Sequence, residues 1–130
     1  MDKSTIMRTF NSMFIEFMDD IIKIFPDKRE LQTAKVGFET IKKSNPTLII
    51  KIWFSNIYTP YKNEIDNANI DFFCNKDYSN DLKNDNTSLK IMSFIDTIRE
   101  PLKNLDKKNK DISIKYIQNL SKLSVLYSQY

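Results

Sequence analysis

At 130 residues, with 41% apolar and 28% charged content, the chain has the length of one domain, enough apolar matter for a core and too little charge for wholesale disorder. A single glycine excludes glycine-rich phosphate loops and the usual two-residue hairpins; the lack of histidine removes the commonest base, metal ligand and triad member; one cysteine leaves no internal disulfide or thiolate cluster. The net charge of +3 is too small to name a partner, but it is segregated: residues 27–54 carry +3, residues 55–86 carry −3 and residues 87–130 carry +4.

In chain order, Phe10, Phe14, Phe17, Ile21 and Ile24 alternate spacings of four and three, so a first helix is predicted from near Thr5 to Phe25, widened by Met13, Met18 and Ile22. Pro26 stops it. Asp27 and Glu30 have the spacing of a capping box, and a second helix follows with Leu31, Ala34, Phe38 and Ile41 on its apolar face. Gly37 beside that face either permits the close approach of another helix or is merely tolerated there. Lys42, Lys43 and Ser44 end it, with the cations where the helix dipole favours them.

The stretch LIIKIWF at 48–54 is apolar nearly all round and holds the only tryptophan, so it is expected at the centre of the fold. Asn45 as cap and Pro46 at the first helical position place a helix from about Pro46 to Asn56. Thr59 and Pro60 repeat that pattern and predict a short helix over about Pro60 to Asn67, with Tyr58 and Tyr61 at the joint. From Asp66 to Asn86 asparagine and aspartate dominate, which predicts an irregular segment, because such side chains compete for their own backbone. A fifth helix is marked by Ile91, Ile95, Ile98, Leu102 and Leu105, opened by a cap among Asp85, Asn86 and Thr87, and kinked or terminated at Pro101. A basic connection follows, then a last helix with Tyr116, Leu120, Leu123 and Tyr127 on one face and a weak strand-like alternation at Ile112, Ile114 and Tyr116. The sum is an all-α, single-domain bundle of five or six helices over 1–130, built around a central buried helix, with one irregular segment at about 66–86.

Catalytic chemistry is not indicated. Adjacent carboxylates such as Asp19 and Asp20 diverge around a helix and are expected to face solvent. Cys74 reads as a structural thiol beside Phe72 and Phe73, and Asp77, Ser79 and Asp81 lack the glycine and terminal glutamate of a calcium loop. No cofactor or metal is implied, and no apolar run approaches the ~20 residues that span a bilayer. What remains is binding. The Asp66–Asn86 segment offers aromatic residues ringed by acids, which makes Asp77, Tyr78, Asp81 and the nearby Tyr61 candidates for a protein partner. The alternative is sequence-independent nucleic-acid binding through Lys103, Lys107, Lys108 and Lys110, with Lys35 and Lys42 lying seven positions apart on the second helix.

The stretches FMDDIIKIFPDKRELQTAKVGF at 17–38, KSNPTLIIKIW at 43–53 and PYKNEIDNANIDFFCNKDYSNDL at 60–82 resemble a group of short uncharacterised proteins encoded by large nucleocytoplasmic DNA viruses of algae and other protists. The resemblance covers the first two thirds of the chain and stops near Thr87. It implies an intracellular, virion-associated viral protein and carries over no catalytic residue. Residues and resemblance together lead to the expectation of a non-enzymatic interaction module, a component or adaptor of a larger viral assembly.

Overall fold

A computed structural model describes residues 2–75, of which 73–75 as backbone, residues 93, 96 and 97, and residues 101–130. Helix α1 (Lys3–Ile24) begins where the Asp2 carboxylate accepts the Thr5 backbone N–H at 2.7 Å. Its buried stripe is Ile6, Phe10, Phe14, Phe17, Met18 and Ile21. The predicted stripe overshoots by one turn, since Ile24 is 39% exposed; Phe25, which closes the helix through its N–H to the Ile21 carbonyl, packs against the core instead.

Helix α2 (Arg29–Ser44) starts without the expected capping box. The Lys28 N–H bonds the Phe25 carbonyl, so Pro26 and Asp27 are used up in a turn and Lys28, with no side-chain acceptor, takes the cap position. Leu31, Phe38 and Ile41 are buried as predicted. Gly37 serves no close approach: a Cβ there would meet nothing within 4 Å.

Asn45 closes α2 rather than opening the next helix, its N–H on the Ile41 carbonyl and its side-chain oxygen taken by the Thr47 hydroxyl. Helix α3 (Leu48–Ile52) therefore begins two residues later than the Asn45–Pro46 pattern predicts. It runs without a break into a π-helical segment (Trp53–Tyr58) and then helix α4 (Thr59–Asp66), the joining residues keeping right-handed helical angles. Pro60 explains the bulge. It has no N–H to give and its ring would collide with the carbonyl four residues back, so the register widens by one residue ahead of it. Thr59 accordingly places both its N–H and its hydroxyl on the Phe54 carbonyl, the latter at 2.7 Å, and Tyr61 departs from helical angles at φ −119°, ψ 25°. The short helix predicted over about Pro60 to Asn67 is thus α4, with Pro60 in its first turn and a kink at Tyr61, but Thr59 continues the helical rod from 48 to 66 instead of capping a separate helix.

This rod is the centre of the bundle, with Ile49, Ile50, Ile52, Trp53, Ile57, Tyr61 and Ile65 all buried. Phe10 and Phe14 each meet Trp53 edge to face with ring centres 6.0 Å apart, and Phe14 meets Phe38 with centres 4.9 Å apart, which joins α1, α2 and the rod through aromatic contacts. After the rod, Ala68 turns the chain at φ 55° and Asn69 caps a short helix α5 (Ile70–Asn75) by accepting the Phe72 N–H at 3.1 Å. The segment from 66 onward, expected to be irregular, is helical in its first part because an asparagine that disfavours a helix interior favours a helix start.

Residues 93, 96, 97 and 101–103 are helical, Pro101 among them, and Leu102 and Leu105 are buried. The rest of that predicted stripe lies outside the described residues. Helix α6 (Lys107–Ser128) is capped by Asp106, which accepts the Asn109 N–H at 2.8 Å, so Lys107, Lys108 and Lys110 lie in the helix and not in a connection before it. The weak strand signal at Ile112 and Ile114 is overridden. Helix α6 runs antiparallel to α1: Lys3 donates to the Tyr130 carbonyl and lies 4.7 Å from the Tyr127 ring centre at one end, while Tyr116 stacks on Phe17 at 5.0 Å nearer the other. Its inner face is Ile114, Ile117, Leu120 and Leu123 with the small buried Ser113, Ser121 and Ser124, whereas Tyr116 sits at the rim. Ser121 accepts the Trp53 indole N–H at 3.0 Å, tying the rod to α6. The described residues form an all-α bundle and contain no strand.

Candidate functional site

Asp77, Tyr78 and Asp81 lie outside the described residues. Tyr61 does not present a partner surface: it is 7% exposed, and its ring centre lies 5.4 Å from that of Phe72, so it anchors α5 to the rod. The acids on α1 are also engaged, against the expectation that they face solvent. Asp19 pairs with Lys35 at 2.5 Å and Asp20 accepts the Tyr116 hydroxyl at 2.5 Å, with Glu16 3.3 Å from the same oxygen. Partial burial and these two carboxylates hold the Tyr116 phenol well above its ordinary range, in the protonated, donating form. Lys35, with Asp19 and Glu39 beside it, is not a free phosphate ligand. Among the described residues no three histidine, cysteine, aspartate or glutamate side chains gather as a metal site, and no helix is long and apolar enough to cross a membrane.

Among the described residues, α6 lines a larger and a smaller hollow. The larger, about 650 Å³, opens between the rod and the second half of α6. Tyr58, the last residue of the π-helical segment, and Ile65 form one wall; Val125 and Leu126 form the other. Gln118 braces it by donating to the Ile65 carbonyl at 2.9 Å, and the Ser121 hydroxyl in its lining is held by Trp53. Those polar groups are already bonded, so the chemistry left to a visitor is burial of apolar side chains, with Asp66 and Lys122 contributing one charge of each sign. Leu126 is 43% exposed at its edge.

The smaller hollow, about 430 Å³, lies at the start of α6 among Lys107, Lys108, Asp111, Ile112 and Lys115, and Ile112 is 41% exposed. Lys107 and Lys108 stand in the first turn, where the helix dipole disfavours cations. Among the described residues, Lys107, Lys108, Lys115 and Lys122 enter no ion pair. Of the four lysines expected to meet nucleic acid, Lys107, Lys108 and Lys110 are therefore brought together on one helix turn, and Lys103 is exposed just before it. Neither Ile112 nor Leu126 is singled out by a search for chemistry-bearing residues. The signal that finds them is the heptad spacing of lysines on α6 combined with burial of the opposite face. Comparison with protein-family models, curated proteins and solved structures finds no match.

Proposed function

We propose that this protein is a non-enzymatic helical interaction module, acting as a component or adaptor of a larger assembly, which the resemblance of its first two thirds suggests to be viral. The observation that supports it is the groove between the rod and α6: apolar walls, and a frame braced by the bonds of Gln118 to the Ile65 carbonyl and of Trp53 to Ser121. Such a site has much to gain from covering its hydrophobic walls. A second reading, lysine-dependent binding of nucleic acid, is supported by Lys107 and Lys108 at the start of α6, which among the described residues enter no ion pair.

Affinity purification of the tagged protein from cells that produce it, with and without nuclease, separates the two. A protein partner recovered in fixed proportion after nuclease treatment is the expected result. Loss of every partner on nuclease treatment would favour the nucleic-acid reading, and recovery of the bare chain in both arms would refute the module.

A further inference from the structure

The two hollows are joined by one line of residues. Lys108, Ile112, Lys115, Asn119, Lys122 and Leu126 follow spacings of four, three, four, three and four, and at ~100° per residue they fall within an arc of about 80° on α6. All six are exposed. The alternation of fours and threes is that of a coiled-coil seam, and here it places Ile112, Asn119 and Leu126 on one of the two seam positions and lysine on the other throughout. A helix face that meets only water carries charged residues of both signs in internal pairs. This face instead has two aliphatic side chains about 21 Å apart, each at a hollow, and three lysines that among the described residues have no acid bonded to them; Asp111 stands four residues before Lys115 and makes no ion pair with it.

We propose that the outer face of α6 docks an acidic amphipathic helix of a partner protein, whose apolar side chains fill the hollows at Ile112 and Leu126 and whose carboxylates meet Lys108, Lys115 and Lys122. The inference rests on the reading of the chain as an interaction module and names the chemistry of its partner. Charge complementarity selects an acidic occupant. The aliphatic pair selects a protein helix over nucleic acid, because phosphates gain nothing from isoleucine or leucine, and the seam spacing matches a helix along its length.

The test uses the full chain and a fluorescein-labelled acidic peptide of about twenty residues, leucine at its seam positions and glutamate beside them, long enough to span both hollows. Fluorescence anisotropy is expected to show binding at least about tenfold tighter than for a scrambled peptide of the same composition. Ile112→Ser with Leu126→Ser should weaken it about tenfold or more, and Lys108→Gln with Lys115→Gln and Lys122→Gln should weaken it and flatten its salt dependence. A photo-crosslinking residue at the exposed Asn119, which leaves the apolar pair intact, should couple to the peptide. Equal binding of the scrambled peptide, displacement by an equal concentration of single-stranded DNA, an unaffected Ile112/Leu126 variant or no crosslink would each overturn the proposal. If a nuclease-resistant partner is recovered equally with that variant and with the parent, the module stands and this face is not its site. If neither recovers a partner, the module reading itself fails.

Discussion

Trp53→Phe and Ser121→Ala, alone and together, probe the bond that ties the central rod to α6. Trp53 is 2% exposed, with its indole N–H on the Ser121 hydroxyl at 3.0 Å and the edges of Phe10 and Phe14 against its ring. Full truncation to alanine would cost about 3 to 5 kcal/mol, a large share of the roughly 5 to 15 kcal/mol that holds a domain folded. Phenylalanine keeps one ring in place, so the expected loss is about 2 kcal/mol: the bond itself at ~1 and the missing volume for the rest. Ser121→Ala leaves a buried indole N–H without an acceptor and should cost about 1 to 3 kcal/mol. In the double variant neither partner remains to be orphaned, so the losses should fall short of their sum by about 1 kcal/mol. Urea unfolding followed by far-ultraviolet circular dichroism measures all four proteins, because the phenylalanine variants have no tryptophan to report. A coupling below about 0.3 kcal/mol would show that the two residues act independently and that α6 is held by packing alone.

Gly37→Ala should raise stability by roughly 0.5 to 1 kcal/mol in the same urea assay, since the site is in a helix interior and a Cβ meets nothing within 4 Å; a loss would reveal a neighbour that the fold does not place there. Asp106→Ala should cost about 1 kcal/mol by removing the cap of α6, whereas an unchanged unfolding midpoint would mean that the helix start is held by other contacts. Tyr116→Phe keeps the ring against Phe17 and removes only the hydroxyl, for a loss of about 1 kcal/mol at neutral pH at this half-exposed position. Because the folded-state phenol is raised above its ordinary 10.0, by burial first and then by the carboxylates, its contribution is whole below that pH and is lost as the pH rises beyond it. The parent should therefore lose stability faster than the variant above pH 10, and parallel curves would refute the assignment.

The helices that sequence periodicity located well are those whose burial is one-sided. On α1 and α2 the spacing of Phe10, Phe14, Phe17 and Ile21, and of Leu31, Phe38 and Ile41, survives folding because each helix packs along a single stripe. Their ends were less legible. Asp27, Asn45 and Thr59 are all good N-cap residues by type, yet none opens a helix, since a turn, a helix closure and a π bulge each claim the position first. Pro60 marks a boundary in the sequence because proline at a first helical turn is cheap. In a rod already fixed by seven buried hydrophobic side chains, widening the register by one residue is the less costly answer. Local chemistry names what a residue can do, and tertiary packing decides which option is used.

The candidate site shows the converse limit. Its residues were in view from the start, but isoleucine, leucine and lysine acquire meaning only from where they point, and the sequence offers α6 two competing apolar sets. Tyr116, Leu120, Leu123 and Tyr127 form one helical line, while Ile112, Asn119 and Leu126 form another at strict heptad spacing. Only the burial of Ile114, Ile117, Leu120, Leu123 and the serines between them assigns the inner face, and by subtraction leaves Ile112 at 41% and Leu126 at 43% exposure on the outer one. The serines matter to that assignment. Ser113, Ser121 and Ser124 are small enough to let α6 settle on its neighbours, and the Ser121 hydroxyl bonds the only indole in the chain, so the polar pattern that seems to mark a solvent face is the one turned inward. Lysine and two aliphatic residues are then what the protein presents to its surroundings along about 21 Å of helix, and an acidic amphipathic helix is the occupant that satisfies both at once.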